Sequence, residues 1–172
     1  MTGKYHLIAA TSTGLAGSVF YFISRDFSLP NLLDAGSLFI ASSAAGLLPD
    51  IDLPKSTAGK TLKPISYVIN KLFGHRTITH SGLWLLLLVF LLIKTDYSVF
   101  LIGTTIGYFS HLLADTMTAG GIPWIYPLSK KRISLTPVHS GHHDLIITII
   151  ASGFMIAGMF FIYGLKNELI QF

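Results

Sequence analysis

Residues 99–117 read Val-Phe-Leu-Ile-Gly-Thr-Thr-Ile-Gly-Tyr-Phe-Ser-His-Leu-Leu-Ala-Asp-Thr-Met. The run is mostly apolar and close to the roughly 20 residues a helix needs to cross a bilayer. Its last turns nevertheless carry His111 and Asp115, four apart and so on one helical face. An ionised aspartate at that depth costs several kcal/mol unless it is paired or coordinated. Alone, the pair reads equally well as a hydrogen bond closing a helix bundle and as two ligands aimed at one ion.

The rest of the chain has the same character. Of 172 residues 51% are hydrophobic and 12% charged, against roughly 25% charged in an average soluble domain. The apolar residues gather in blocks at residues 7–23, 35–48, 78–93, 99–117 and 145–165. The second block would rise only about 21 Å as a helix, so it is tilted, re-entrant or extended into Leu32 and Leu33. Breaks fall at Pro30, at Pro49 and Pro54, and at Gly120, Gly121, Pro123, Pro127 and Pro137. Only Lys4 precedes the first block, with no clear cleavage motif, so it reads as a retained helix rather than a signal peptide. Gly103-x-x-x-Gly107 predicts a close helix contact. The expected fold is all-α: one domain over residues 1–172, a polytopic bundle of about five transmembrane helices.

Basic residues orient such a bundle. With five crossings, one side holds Lys4, Lys55, Lys60, Lys63, Lys71, Arg76, Lys130, Lys131 and Arg132, and the other Arg25, Lys94 and Lys166. The positive-inside rule then puts the N-terminus in the cytoplasm. That assignment uses no histidine, yet it collects all seven on the cytoplasmic side: His6, His75, His80, His111, His139, His142 and His143. Asp50, Asp52, Asp115 and Asp144 join them, while Asp26, Asp34, Asp96 and Glu168 fall opposite. Topology also accounts for the net charge of +4, and no helix-turn-helix points to nucleic acid.

The chain has no cysteine, which leaves His, Asp and Glu as the strong ligands. Asp50-x-Asp52 follows Leu47-Leu48-Pro49, either as hard oxygen ligands or as a solvated acidic turn. His75-Arg76-Thr77-Ile78-Thr79-His80-Ser81 sets two imidazoles beside a guanidinium suited to an anion or a carboxylate. His6 begins the first helix and alone would be an interfacial histidine. Five helix ends thus converge on one plane, as in metal sites built from facing helices of a bundle. The expected cofactor is a divalent ion, most readily zinc, that would activate water. The loop His139-Ser140-Gly141-His142-His143-Asp144 reads as an accessory metal site, a substrate-binding loop or, in preference, a basic interfacial collar, with Asp144 as an additional candidate ligand. Lys130-Lys131-Arg132 reads as a contact for anionic lipid head groups, with substrate binding as the alternative.

Three ordered motifs resemble a known family: Leu47-Leu48-Pro49-Asp50-Ile51-Asp52-x-Pro54-Lys55-Ser56, then Gly74-His75-Arg76-x-x-Thr79-His80-Ser81, then His111-x-x-Ala114-Asp115-x-x-Thr118-x-x-Gly121-x-Pro123 with Trp124, Pro127 and Arg132. They resemble the YdjM-type proteins, described as LexA-binding, inner-membrane-associated and metal-dependent hydrolases. More remotely, the order of ligands looks like the zinc-dependent phospholipase C and single-strand nuclease superfamily, an analogy implying phosphoester hydrolysis with two or three ions. The resemblance implies His6, Asp50, His80, His111 and Asp115 as ligands, with Asp52 and His75 as further ligands or their supports. Near the last helix, Ser140-Gly141-His142-His143-Asp144 departs from the family pattern.

The expectation is a multi-pass protein of the bacterial inner membrane with a metal-dependent hydrolase site facing the cytoplasm. Asp52, His75 and Arg76 are its expected catalytic groups. Its partners would be membrane lipids and an amphiphilic or phosphorylated substrate. The rival readings are a non-enzymatic anchor for a protein partner and, less favoured, an ion or solute transporter, which should carry intramembrane polar groups towards both faces.

Overall fold

The computed structural model describes residues 3–139, 141 and 143–169, with side chains through residue 160. Ser140 and His142 lie outside the described residues, as do the side chains of Lys166 and Glu168. Among the described residues seven α-helices follow one another: α1 (Gly3–Ile23), α2 (Leu29–Ala45), α3 (Thr57–Thr61), α4 (Lys63–Phe73), α5 (Gly82–Lys94), α6 (Val99–Thr116) and α7 (Asp144–Leu169). Two 3-10 turns, Pro49–Asp52 and Ile78–His80, lie between them. No strand occurs among the described residues, only an isolated antiparallel bridge between Ile122 and Ile133.

Local chemistry sets the helix limits. Ser28 caps α2 by accepting the Asn31 N–H, and Pro30 sits in the first turn where its missing N–H is not needed. The second apolar block therefore extends towards the N-terminus and takes in Leu32 and Leu33. The third is shorter than its apolar run, because residues 78–80 form a 3-10 turn and Ser81 is extended (φ −91, ψ 151). The connection between the second and third blocks is not plain loop. Ser56 caps α3 through the Gly59 N–H at 2.9 Å, and α4 stops at Gly74, whose φ of +76 favours glycine.

Helix α2 packs on both α1 and α6, and α1 also contacts α6 and α7. The expected close contact is present: a Cβ on Gly103 would lie 2.3 Å from the Leu38 carbonyl oxygen, and one on Gly107 2.0 Å from that of Ser42. Only glycine allows this approach, and it draws the C-terminal half of α6 against the end of α2.

Where the apolar surface lies is equally informative. Helix α5 is almost wholly apolar yet has no buried residue, with Leu86 69% and Phe90 54% exposed. The apolar face of α4, formed by Ile65, Val68 and Leu72, is exposed too. Surface of this kind suits lipid rather than water. By length and composition, Gly3–Ile23 and Leu29–Asp52 can cross a membrane, while Gly82–Lys94 and Asp144–Phe160 are shorter apolar helices.

Candidate metal centre

The glycine contact and the two 3-10 turns bring distant stretches of chain to one place. His6 comes from the start of α1, Asp50 and Asp52 from the turn after α2, His75, Arg76 and His80 from the segment before α5, and His111 and Asp115 from the end of α6. His6, Asp50, Asp52, His80, His111 and Asp115 are buried, while His75 keeps 34% of its side chain exposed.

The Nε2 atoms of His80 and His111 face each other at 3.3 Å. Asp115 Oδ2 lies 3.5 Å from the first and 3.7 Å from the second, and Asp50 Oδ1 lies 3.6 Å and 3.8 Å from them. His6 stacks on His111 with ring centroids 3.6 Å apart, and its Nε2 is 3.3 Å from Asp115 Oδ1. The donor atoms form two adjoining groups able to hold a metal ion, His6 with His111 and Asp115, and Asp50 with His75 and His80.

Hydrogen bonds fix which ring nitrogens are available. His111 Nδ1 lies 2.7 Å from the Gly46 carbonyl, which can only accept, so Nδ1 donates and Nε2 keeps its lone pair. His75 Nδ1 donates to Asp52 Oδ1 at 2.8 Å, and His80 Nδ1 lies 3.3 Å from Asp52 Oδ2. Asp52 Oδ2 also accepts the Arg76 N–H at 3.0 Å and the Thr79 hydroxyl at 2.6 Å. Arg76 Nη2 donates to Asp115 Oδ1 at 2.7 Å. Tyr108 in turn donates its hydroxyl to the Thr79 carbonyl.

With this geometry in view, the family relationship can be read. The sequence profile described as "YdjM inner membrane protein" matches residues 1–169. The chain belongs to this family. It is 46% identical over 91 residues to inner membrane protein YdjM of Escherichia coli (strain K12), a match covering 47% of this chain and 44% of that protein. The Shigella flexneri protein of the same name matches to the same extent. The chain thus spans less than half the length of these two relatives. Over 96% of both chains it is 31% identical to the uncharacterized protein YvsG of Bacillus subtilis (strain 168). No solved structure matches. Membership of the YdjM family makes the chain a bacterial inner membrane protein.

In this member of the YdjM family the cluster has the properties of a cation site. Three carboxylates face one fixed cation, Arg76, which leaves negative charge that buried surroundings tolerate only when balanced. His6 Nδ1 is buried without a hydrogen bond and Nε2 has only its 3.3 Å approach to Asp115 Oδ1, an expense that a ligand would offset. Tetrahedral zinc, with ligands at about 2.0–2.1 Å, separates neighbouring donor atoms by about 3.3–3.4 Å, and the shortest distances here are 3.3 Å. Backbone and carboxylate acceptors on the far nitrogens of histidines are the usual second support of metal ligands.

All seven expected ligands, together with Arg76, fall in this one cluster. Asp52 belongs to neither donor group, its oxygens being engaged by His75, Arg76, Thr79 and His80. Asp144 also stands apart from both; it is buried and accepts the Gly141 N–H at 2.9 Å at the start of α7. His139 and His143 are exposed. Several contributors carry no metal-ligand signature in sequence: the Gly46 carbonyl, Thr79, Tyr108, and Asn70, whose amide donates to the Asp52 carbonyl at 2.7 Å. Gly120 is another, since a Cβ there would sit 2.4 Å from Arg76 Nη1.

Proposed function

We propose that the chain is a metal-dependent hydrolase of the inner membrane, acting on phosphoester bonds of an amphiphile at the cytoplasmic face. The observation that carries this reading is that His80 Nε2 and His111 Nε2 lie 3.3 Å apart, with Asp50 Oδ1 and Asp115 Oδ2 each 3.5–3.8 Å from both. Five membrane crossings with the N-terminus inside accord with the distribution of Lys and Arg, and put the cluster at the inner surface.

In this reading Asp50, His80, His111 and Asp115 hold the ion, with His6 beside them through Asp115. When bound, a divalent ion such as zinc lowers the pKa of a water and polarises a phosphoryl oxygen. The chain's own residues supply the rest. Asp52 orients His75 and His80 from its two oxygens. His75 stands at the exposed edge with Nδ1 tied to Asp52, so its Nε2 can take the proton lost by the attacking water and return it to the leaving oxygen. One water is consumed for each phosphorus–oxygen bond broken. Arg76 stabilises the anionic phosphoryl group while pinning Asp115.

Metal analysis of the purified full chain, paired with a phosphoester turnover assay, tests this. The expected result is a stoichiometric divalent ion that disappears in the His111→Ala, Asp115→Ala double variant together with turnover. A chain free of divalent metal, or a double variant with unchanged metal content, overturns the reading.

A further inference from the structure

The basic residues after α6 bear on the same site from another side. Arg76, Lys130 and Arg132 line a pocket of about 240 Å³ with Leu72, Phe73 and Tyr126, and no carboxylate lines it. Arg76 joins this pocket to the metal cluster, because its Nη2 bonds Asp115 while its buried Nε has no hydrogen-bond partner. Across Tyr126 lies a second hollow of about 620 Å³ between the start of α5 and the loop after α6, lined by Leu83, Leu86, Trp124, Ile125 and Leu128. Its walls are held in place: the Gly82 N–H donates to the Trp124 carbonyl at 2.8 Å, and Trp124 Nε1 donates to Thr116 Oγ1 at 3.0 Å.

We infer that the two hollows together bind one membrane phospholipid, its anionic phosphate between Arg76, Lys130 and Arg132 and an acyl chain along Trp124 and Leu128. Each half needs the other. A free phosphate would leave the apolar groove bare, and an uncharged lipid would leave Lys130 and Arg132 without a counter-charge, Arg76 being paired with Asp115. A phospholipid matches both, and an inner membrane protein is surrounded by them. That the bound lipid is also the substrate rests on the hydrolase reading, which sets a head-group phosphate beside Arg76 and hence next to Asp115.

Trp124 provides the readout. In a Trp84→Phe background it is the chain's sole tryptophan, and the full chain in non-ionic detergent can be titrated with phosphatidic acid carrying brominated acyl chains. Saturable quenching is expected. The Lys130→Gln, Arg132→Gln pair should weaken it at least about tenfold, as expected for lost charge-assisted hydrogen bonds, with bound metal unchanged. Leu128→Asp should reduce quenching while leaving the cations in place. Brominated diacylglycerol quenching with the same midpoint as the phospholipid, or a midpoint indifferent to Lys130 and Arg132, overturns the proposal in favour of unspecific apolar contact. Inorganic phosphate displacing the lipid at equal concentration overturns it in favour of a free-anion pocket. A metal-free chain that still binds the phospholipid in a charge-dependent way would remove the hydrolase reading and leave this site standing.

Discussion

Two stretches of the chain are rich in histidine, residues 74–80 and residues 139–144, and their fates differ. In the first, His75 and His80 are tied to Asp52, and His80 meets His111 from a helix more than thirty residues away. In the second, His139 and His143 face outward, and Asp144 spends an oxygen on the Gly141 N–H at the head of α7. The residue types are alike. What separates the stretches is the backbone around them: the start of α1, the turn after α2 and the end of α6 meet at the first and bring it His6, Asp50, Asp52, His111 and Asp115. A ligand set is therefore a property of packing, here of the glycine contact between α6 and α2, rather than of local composition.

The largest expected effect breaks the first region at its centre. His111→Ala with Asp115→Ala should lower turnover by ~10⁴-fold, as for residues that act as a unit, and should empty the chain of metal. His75→Ala comes next. It should cost about 10²–10⁴ in turnover, the usual contribution of a proton-transfer group, while metal content stays at the wild-type level. Binding of more than one ion per chain, with one lost in His75→Ala, would instead assign Asp50, His75 and His80 to a second ion and take His75 out of proton transfer. Asp52→Asn follows, with a fall of about 10–100-fold in metal affinity. Its single amide oxygen cannot serve His75, the Arg76 N–H and the Thr79 hydroxyl together, and its amide nitrogen would confront donors. Competition against a metallochromic chelator measures this, and an unchanged affinity would show that the histidines need no such support.

The clustering of these histidines and aspartates was legible in sequence because burial of charge is costly and leaves a mark. His111 and Asp115 stand inside an apolar run, Asp50 and Asp52 end one abruptly, and the basic residues put these groups on one side. The all-helical fold was legible for a similar reason, since the apolar blocks are long. The supporting interactions were not. The Gly46 carbonyl, the Tyr108 hydroxyl and the space left by Gly120 depend on how helices meet, and a carbonyl has no residue type to betray it. Helices α3 and α4 were missed because lysines and prolines in that connection resemble a loop. The 11-residue α4 shows its apolar face only when Ile65, Val68 and Leu72 are read at helical spacing. Between the alternatives that sequence left open for Asp52, ligand or support, its contacts with His75, Arg76, Thr79 and His80 favour support, and those donors cannot be read from a carboxylate standing beside Asp50.

The smallest expected effect is the control for the opening contrast. His139→Ala with His143→Ala removes as many imidazoles as exchanging both His75 and His80, yet it should leave metal content and turnover within about twofold of wild type. Exposed side chains away from a converging set of helices contribute little to a buried site. Both positions are exposed, so neither exchange opens a cavity or strands a buried partner. If the double variant instead loses metal, the last loop must fold over the cluster when the ion binds, and the division between the two histidine-rich stretches would hold only for the metal-free chain. Metal content measured alongside the His111→Ala, Asp115→Ala variant separates these outcomes, because one variant tests the helices that build the centre and the other tests the loop that stands outside it.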